Sequence, residues 1–266
     1  MKADVLSLEG EKIKTIDLPN HFSEEIRPDL IQKVALIHQS NKRQSYGAFL
    51  EAGQRASAKL SRRRRDYKSA YGRGIARTPR KTITRRGTQF TWVGAVAPNT
   101  VSGRRAHPPK PYKIWKKKIN KTEKRKAIRS AIASTISKEF LQKKGFSSLR
   151  YLPLIIEERF ENIEKTKEVI ALLEKLQLQK ELQRTMKKSI RSGKGKIRGN
   201  KYRIRKGPLI VVSKACPLQK ALKNIPGFDS CIVNKINTEI LAPGAAPGRL
   251  VIWSLPSIEK LKGLFT

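Results

Sequence analysis

The apolar positions of the chain fall into two kinds of run. Ile128, Ile132, Ile136 and Phe140 return every fourth residue with Ala131 and Thr135 beside them, and the pattern stops at Lys143, Lys144 and Gly145. That is one face of a helix with a cationic, glycine-closed C-terminus. Pro28-Asp29 opens an earlier helix that carries Leu30, Ile31, Val34 and Ala35 on one side, with His38 packed at its rim. Val169, Ile170, Leu173 and Leu176 predict a third over about 163–176, and shorter helices are predicted near Leu218–Asn224 and over Pro256–Lys262. Between them stand bounded apolar runs of strand length at Leu152–Ile156, Leu209–Val212, Ser230–Val233 and Leu250–Trp253, while 3–8 and 11–16 read as two strands around Glu9-Gly10. Strands that alternate with helices predict an α/β fold, a three-layer α/β/α domain with a mainly parallel central sheet.

The alternation breaks at about residue 42 and resumes near 119. Residues 42–118 show no sustained 3.6 or 2.0 periodicity and hold seven glycines. The expectation is a globular α/β domain made of 1–41 together with 119–266, with 42–118 inserted in it as a long extended loop. A compact domain of 189 residues has a radius of gyration of about 16 Å. A fully extended hairpin of 77 residues reaches on the order of 100 Å, so the insertion can probe far beyond its own domain. No internal repeat is found.

Charge turns this outline into a functional argument. Lys and Arg number 59 against 21 Asp and Glu, a net charge of +38 with a pI near 10.7, which calls for a polyanion partner. The insertion carries 22 Lys/Arg against Glu51 and Asp66 alone, and with them Tyr46, Phe49, Tyr67, Tyr71, Phe90, Trp92, Tyr112 and Trp115. Such a segment repels itself and orders when counter-charge arrives. A second basic stretch, 184–206, has eleven Lys/Arg and no acid. Cys216 and Cys231 lie 15 apart with no CxxC and no nearby His, which predicts no disulfide scaffold, no metal site and a reducing cytoplasm. Met1–Gly10 contains Asp4 and Glu9 and lacks an apolar core, and the longest apolar runs are too short to span a bilayer, so neither export nor a membrane partner is expected.

An α/β sheet invites enzyme readings, and the motifs for them fail. No predicted strand leads into GxGxxG, and Gly193-Lys194-Gly195-Lys196 lacks the GxxxxGK[ST] spacing and follows a basic run. His21, His38 and His107 have no ligand spacing, there is no GxSxG, and the adjacent Glu157-Glu158 point apart at a strand end. The expectation is no enzyme, no catalytic residue and no cofactor. What remains is recognition of phosphate by cations: Arg62, Arg63, Arg64, Arg65, Arg73, Arg77, Arg80, Lys81, Arg85, Arg86, Arg104 and Arg105 offer guanidinium forks and ammonium charge. Gly72, Gly74, Gly87 and Gly103 let backbone approach a nucleic acid closely, and the interleaved aromatics suit unpaired bases, which favours folded RNA over duplex DNA. Two rivals stand beside this reading. An RNA-modifying enzyme with a basic guide loop would need a cofactor turn, and a basic chromatin-type DNA-binding protein would prefer duplex DNA at matched salt.

Three strings carry a resemblance. They are Tyr71-Gly72-Arg73-Gly74-Ile75-Ala76-Arg77-Thr78-Pro79-Arg80, Gly103-Arg104-Arg105-Ala106-His107-Pro108-Pro109-Lys110, and Asn237-Thr238-Glu239 with Leu241-Ala242-Pro243-Gly244-Ala245-Ala246-Pro247-Gly248-Arg249-Leu250. Together they resemble the universal large-subunit ribosomal protein four family in its archaeal and eukaryotic branch, and the likeness runs over essentially the whole chain. The chain stops at Thr266 soon after its last predicted strand, which points to the archaeal side. The resemblance implies a structural constituent of the large ribosomal subunit that binds large-subunit rRNA. Its long loop would reach the nascent-peptide exit tunnel at a constriction shared with ribosomal protein twenty-two. The tip facing the tunnel and the nascent peptide would map to about 71–88, with Gly72, Arg73, Gly74, Arg77, Arg80, Arg85 and Arg86. It extends the RNA-binding set to His107, Lys110, Lys194, Lys196, Arg198, Lys201, Arg203, Arg205 and Arg249, and implies neighbouring ribosomal proteins as partners with no homo-oligomer.

Overall fold

The computed structural model describes residues 1–66, 69–87, 89–146 and 151–265. Tyr67 and Thr88, singled out in the sequence among the aromatics and the tip, lie outside them. The chain divides into two compact units, one of Met1–Lys42 with Lys116–Thr266 and the other of Arg43–Trp115.

In chain order the elements are β1 (Lys2–Leu6), β2 (Lys12–Asp17), α1 (Pro28–Lys42), β3 (Arg80–Arg86), β4 (Gln89–Gly94), α2 (Lys121–Ala133), α3 (Lys138–Lys143), β5 (Leu154–Ile156), α4 (Thr166–Lys175), α5 (Gln179–Met186), β6 (Ser189–Ile190), β7 (Tyr202–Arg203), β8 (Leu209–Val212), α6 (Leu218–Lys223), β9 (Asp229–Ile232), α7 (Thr238–Leu241), β10 (Val251–Ser254) and α8 (Leu255–Leu261). The first unit is built on a six-stranded sheet in the order β2-β1-β5-β10-β8-β9. Only the β1–β2 pair is antiparallel; the remaining pairs are parallel.

The aliphatic runs become strands because both faces of this sheet are covered. Ile210 and Val212 of β8, Leu154 and Ile156 of β5 and Ile252 of β10 pack into one core with Val169, Leu172 and Leu173 of α4, Leu182 of α5 and Leu218 and Leu222 of α6. Leu209 and Val211, Ile155, and Val251 with Trp253 pack on the other face with Ile31 of α1, Ile128 and Ile132 of α2, Leu241 of α7 and Ile258 of α8. Alternate residues of each strand feed opposite cores. This is the three-layer α/β/α arrangement with a mainly parallel sheet that the sequence predicts. His38 sits half-buried on α1, where burial and then the nearby Lys124 push its imidazole below the ordinary value.

Three local readings need correction. The single helix expected through Ile128 and Phe140 is two helices, α2 and α3. At the break the Ser134 and Thr135 hydroxyls donate back to the carbonyls of Ala131 and Ile132, each at 2.7 Å, a local competition that ends a helix. The helix expected over 163–176 occupies Thr166–Lys175, and a further helix, α5, follows it. The insertion, expected without regular structure, contains the antiparallel hairpin β3–β4.

At the carboxyl ends of the parallel strands, where open α/β sheets hold their ligands, the protein supplies its own carboxylate. Glu161 is buried; it accepts from the Ser213 N–H at 2.7 Å, the Ser213 hydroxyl at 2.8 Å and the Ser254 hydroxyl at 2.5 Å. The ends of β8 and β10 are thereby tied to the segment after β5. No helix among the described residues is long and apolar enough to cross a membrane.

Candidate nucleic-acid interface

Two basic surfaces meet the expectation, one in each unit. In the unit Arg43–Trp115 the chain is pinned where its two ends run together. Ala48 N–H donates to the Pro109 carbonyl at 3.1 Å, Tyr46 stacks on Trp115 at 6.2 Å between centroids, and the Arg43 guanidinium lies 3.7 Å from the Trp115 ring centre. Gly47 makes this crossing possible, because a Cβ there would stand 2.3 Å from the Pro111 nitrogen. Within the other unit Asn41 and Lys117 exchange two hydrogen bonds, 2.8 and 3.2 Å, at the residues flanking the insertion.

The β3–β4 hairpin forms from threonine-rich strands. Arg86 pairs with Gln89, and β3 is followed by Gly87 with φ +55°. Phe90 and Trp92, two apart and so on one face, stack at 4.8 Å, and the Arg73 guanidinium sits 5.4 Å from the Trp92 ring centre. Arg77 lies 4.6 Å over Tyr71 and Arg55 4.3 Å over Phe49. These rings hold guanidinium groups by cation–π attraction, in the place where a base or a phosphate would compete for one or the other.

Arg62, Arg63, Arg64, Arg65, Arg73, Arg77, Arg85, Arg86, Arg105, His107 and Lys110 are exposed, and Arg80, Lys81 and Arg104 are half-buried. None of these arginines forms an ion pair with a described residue, whereas Lys59 pairs with Asp66 at 3.3 Å. Gly72 and Gly74 have φ of +71° and +62°, and the space where their side chains would be is open.

In the larger unit every residue from Met186 to Lys206 is exposed, and the stretch folds back as the β6–β7 hairpin. Lys194, Lys196, Arg198, Lys201, Arg203 and Arg205 all lie on it. Its base is fixed by Gly207, whose N–H donates to the Gly227 carbonyl at 2.8 Å. Gly227 has φ +82°, and a Cβ on it would stand 2.6 Å from the Arg205 carbonyl, so only glycine fits. Beside the hairpin lies a cleft of about 650 Å³ whose cations are Lys144, Arg184, Arg191, Arg203, Arg205 and Lys206, with Arg249 in its wall. The sequence reading missed Lys144, taken as a helix-end signal, and Arg191, whose place in the 184–206 run was the available clue.

Arg249, expected in the RNA-binding set, differs from the exposed cations. It is buried, and its guanidinium is spent inside the fold, on the Gly207 carbonyl at 2.9 Å, the Ile240 carbonyl at 2.8 Å and the Asp229 carboxylate at 2.6 Å. Burial works against the Asp229 charge, but the hydrogen bonds from Arg249 and Lys206 outweigh it and hold the carboxyl below its ordinary value. Arg184 is likewise held, by a bidentate pair with Glu181 and by the Lys206 carbonyl at 2.9 Å.

The chain thus forms a three-layer α/β domain with a second, inserted unit, and each unit bears a basic surface most of whose cations have no carboxylate partner among the described residues. Comparison with known proteins gives the family. Residues 16–264 match the family described as "Ribosomal protein L4/L1 family". The chain is 45% identical over 263 residues to "Large ribosomal subunit protein uL4" of Nanoarchaeum equitans, covering 98% of each chain. It is 39% identical over 265 residues to the protein of that name in Archaeoglobus fulgidus, 98% of each, and 40% over 264 residues to that of Methanospirillum hungatei, 99% of each. The chain belongs to the ribosomal protein L4/L1 family.

Proposed function

We propose that this protein is a structural constituent of the large ribosomal subunit that binds large-subunit rRNA through both basic surfaces, with the Arg43–Trp115 unit carried into the RNA. Its tip, from Gly72 through the β3–β4 hairpin, lines the nascent-peptide exit tunnel next to ribosomal protein twenty-two. The observation that carries this reading is the uncompensated charge: the insertion holds 22 Lys/Arg against two acids, its arginines have no carboxylate partner among the described residues, and aromatic rings lie among them. Phosphate supplies the missing charge, and unpaired bases replace the guanidinium groups on the rings.

Sedimentation and filter binding test it. The native protein is expected to travel with the large subunit in a sucrose gradient, and the full chain to prefer large-subunit rRNA over duplex DNA of equal length at matched salt. Equal affinity for both, with migration apart from the subunit, overturns the proposal. For the tip, ribosomes carrying Arg77→Glu are expected to assemble in normal yield and to alter the response to stalling nascent peptides. Normal yield with unchanged stalling removes the tunnel assignment.

A further inference from the structure

The α/β unit has a groove that lies on neither basic surface. It has a volume of about 960 Å³ and runs along the free edge of β9, the last strand of the sheet. Asp229 N–H donates to the Pro208 carbonyl on the β8 side. Because backbone groups alternate along a strand, Asp229 and Cys231 pair with β8 while Ser230 and Ile232 turn their N–H and C=O toward the groove. An edge of this kind is a template for another strand.

The groove's chemistry differs from that of the RNA-facing surfaces. Its lining includes Cys216, Cys231, Ile232 and Ile240 together with Lys220, Lys223 and Lys235 against a single carboxylate, Glu164, and it contains neither arginine nor aromatic residue. The three lysines are exposed and none pairs with a carboxylate among the described residues. Lys220 and Lys223 are three apart on α6, so they stand on one face of that helix, while Ile240 belongs to α7 on the opposite side of the sheet. Base stacking and bidentate phosphate grips have nothing to work with here, whereas an extended backbone does.

We propose that this groove is a protein-docking site that takes an extended acidic segment of a partner as a seventh strand on β9. The backbone of the segment pairs with Ser230 and Ile232. Its acidic side chains face Lys220 and Lys223, and the alternate aliphatic ones face Ile240. Lysine charge selects the segment, and the edge hydrogen bonds fix its register. This site is separate from the rRNA-binding reading and stands or falls without it.

The test uses the full-length protein and a decapeptide of alternating glutamate and valine, followed by amide hydrogen exchange. Slowed exchange at Ser230 and Ile232 is expected. The double variant Lys220→Glu/Lys223→Glu should abolish that protection and weaken peptide binding at this site by about tenfold, while rRNA binding is unchanged. Lys194→Glu/Lys196→Glu should leave the protection intact, and a peptide N-methylated at alternate amides should lose it. Protection confined to 184–206 or 43–115 would show only general attraction to a cationic protein and overturns the proposal. So does equal protection by the N-methylated peptide, or protection of Ser230 and Ile232 by a single-stranded RNA in preference to the peptide.

Discussion

Replacing Arg249 separates a cation that builds the fold from the exposed cations proposed to bind RNA. Arg249→Ala removes the donor from the Gly207 and Ile240 carbonyls and from the Asp229 carboxylate, at 2.9, 2.8 and 2.6 Å. Breaking a buried ion pair from one side costs about 3–5 kcal/mol. Asp229 is a third exposed and retains Lys206 at 2.9 Å, which moderates the loss, but the half-buried Ile240 carbonyl loses a donor and the buried Gly207 carbonyl is left without one, the latter at about 1–3 kcal/mol. The net expectation is about 3–5 kcal/mol, a large share of the roughly 5–15 kcal/mol that holds a domain folded. Urea denaturation of the RNA-free protein, followed by circular dichroism, measures it. Arg203→Ala on the exposed β7 is the companion variant. It should stay within about 0.5 kcal/mol of the parent and instead weaken rRNA binding with a shallower salt dependence. A stable Arg249→Ala protein with rRNA binding weakened tenfold would refute the assignment and return Arg249 to the phosphate-binding set. The same knot sets a pH dependence. The Asp229 carboxyl titrates below its unfolded value of 3.8 in the folded chain, so its contribution is fully present above the unfolded value and is lost as pH falls through the lower folded one. In the Arg249→Ala protein the acid-induced loss of stability over that window should shrink.

Three further outcomes are expected. Deleting 62–86, which removes eleven Lys/Arg, should lower rRNA affinity less than reversing the charges of 184–206 if the basic face of the globular domain docks first; filter binding over a salt series would show the opposite order if the insertion supplies the initial contact. Gly47→Ala places a methyl group 2.3 Å from the Pro111 nitrogen, so proteolysis within 43–115 should quicken while the melting of the α/β unit stays put, and an unchanged cleavage rate would count against the pinned crossing. Burial pushes the Cys231 thiol up to about 11, so alkylation at pH 8 should reach Cys231 only when the chain unfolds; prompt reaction in the native protein would contradict its burial.

What the sequence disclosed and what it concealed follow from the distance over which each feature is decided. β8 falls on the predicted residues because Leu209–Val212 is apolar at four successive positions, and a strand covered on both faces needs no partner identified to be recognised. The α2–α3 break was hidden because Ile136 and Phe140 keep the four-residue spacing across it, while the hydroxyl bonds of Ser134 and Thr135 that end α2 leave no mark on hydrophobic periodicity. α5 was hidden by its own chemistry: Glu181 and Thr185 are buried beside Leu182, so its inward face reads as polar and merges with the basic run that follows. In the insertion, β4 does alternate, with Phe90 and Trp92 on its covered side, but β3 is Arg80-Lys81-Thr82-Ile83-Thr84-Arg85-Arg86 and carries no matching apolar rhythm. The exposed cations were legible because their solvation needs no partner from elsewhere in the chain. Arg249 was not, since its acceptors come from residues 42, 20 and 9 positions away, two of them peptide carbonyls that every residue possesses. A buried arginine satisfied by backbone leaves no complementary acid pattern to read, and only the folded path of the chain separates it from an arginine that waits for phosphate.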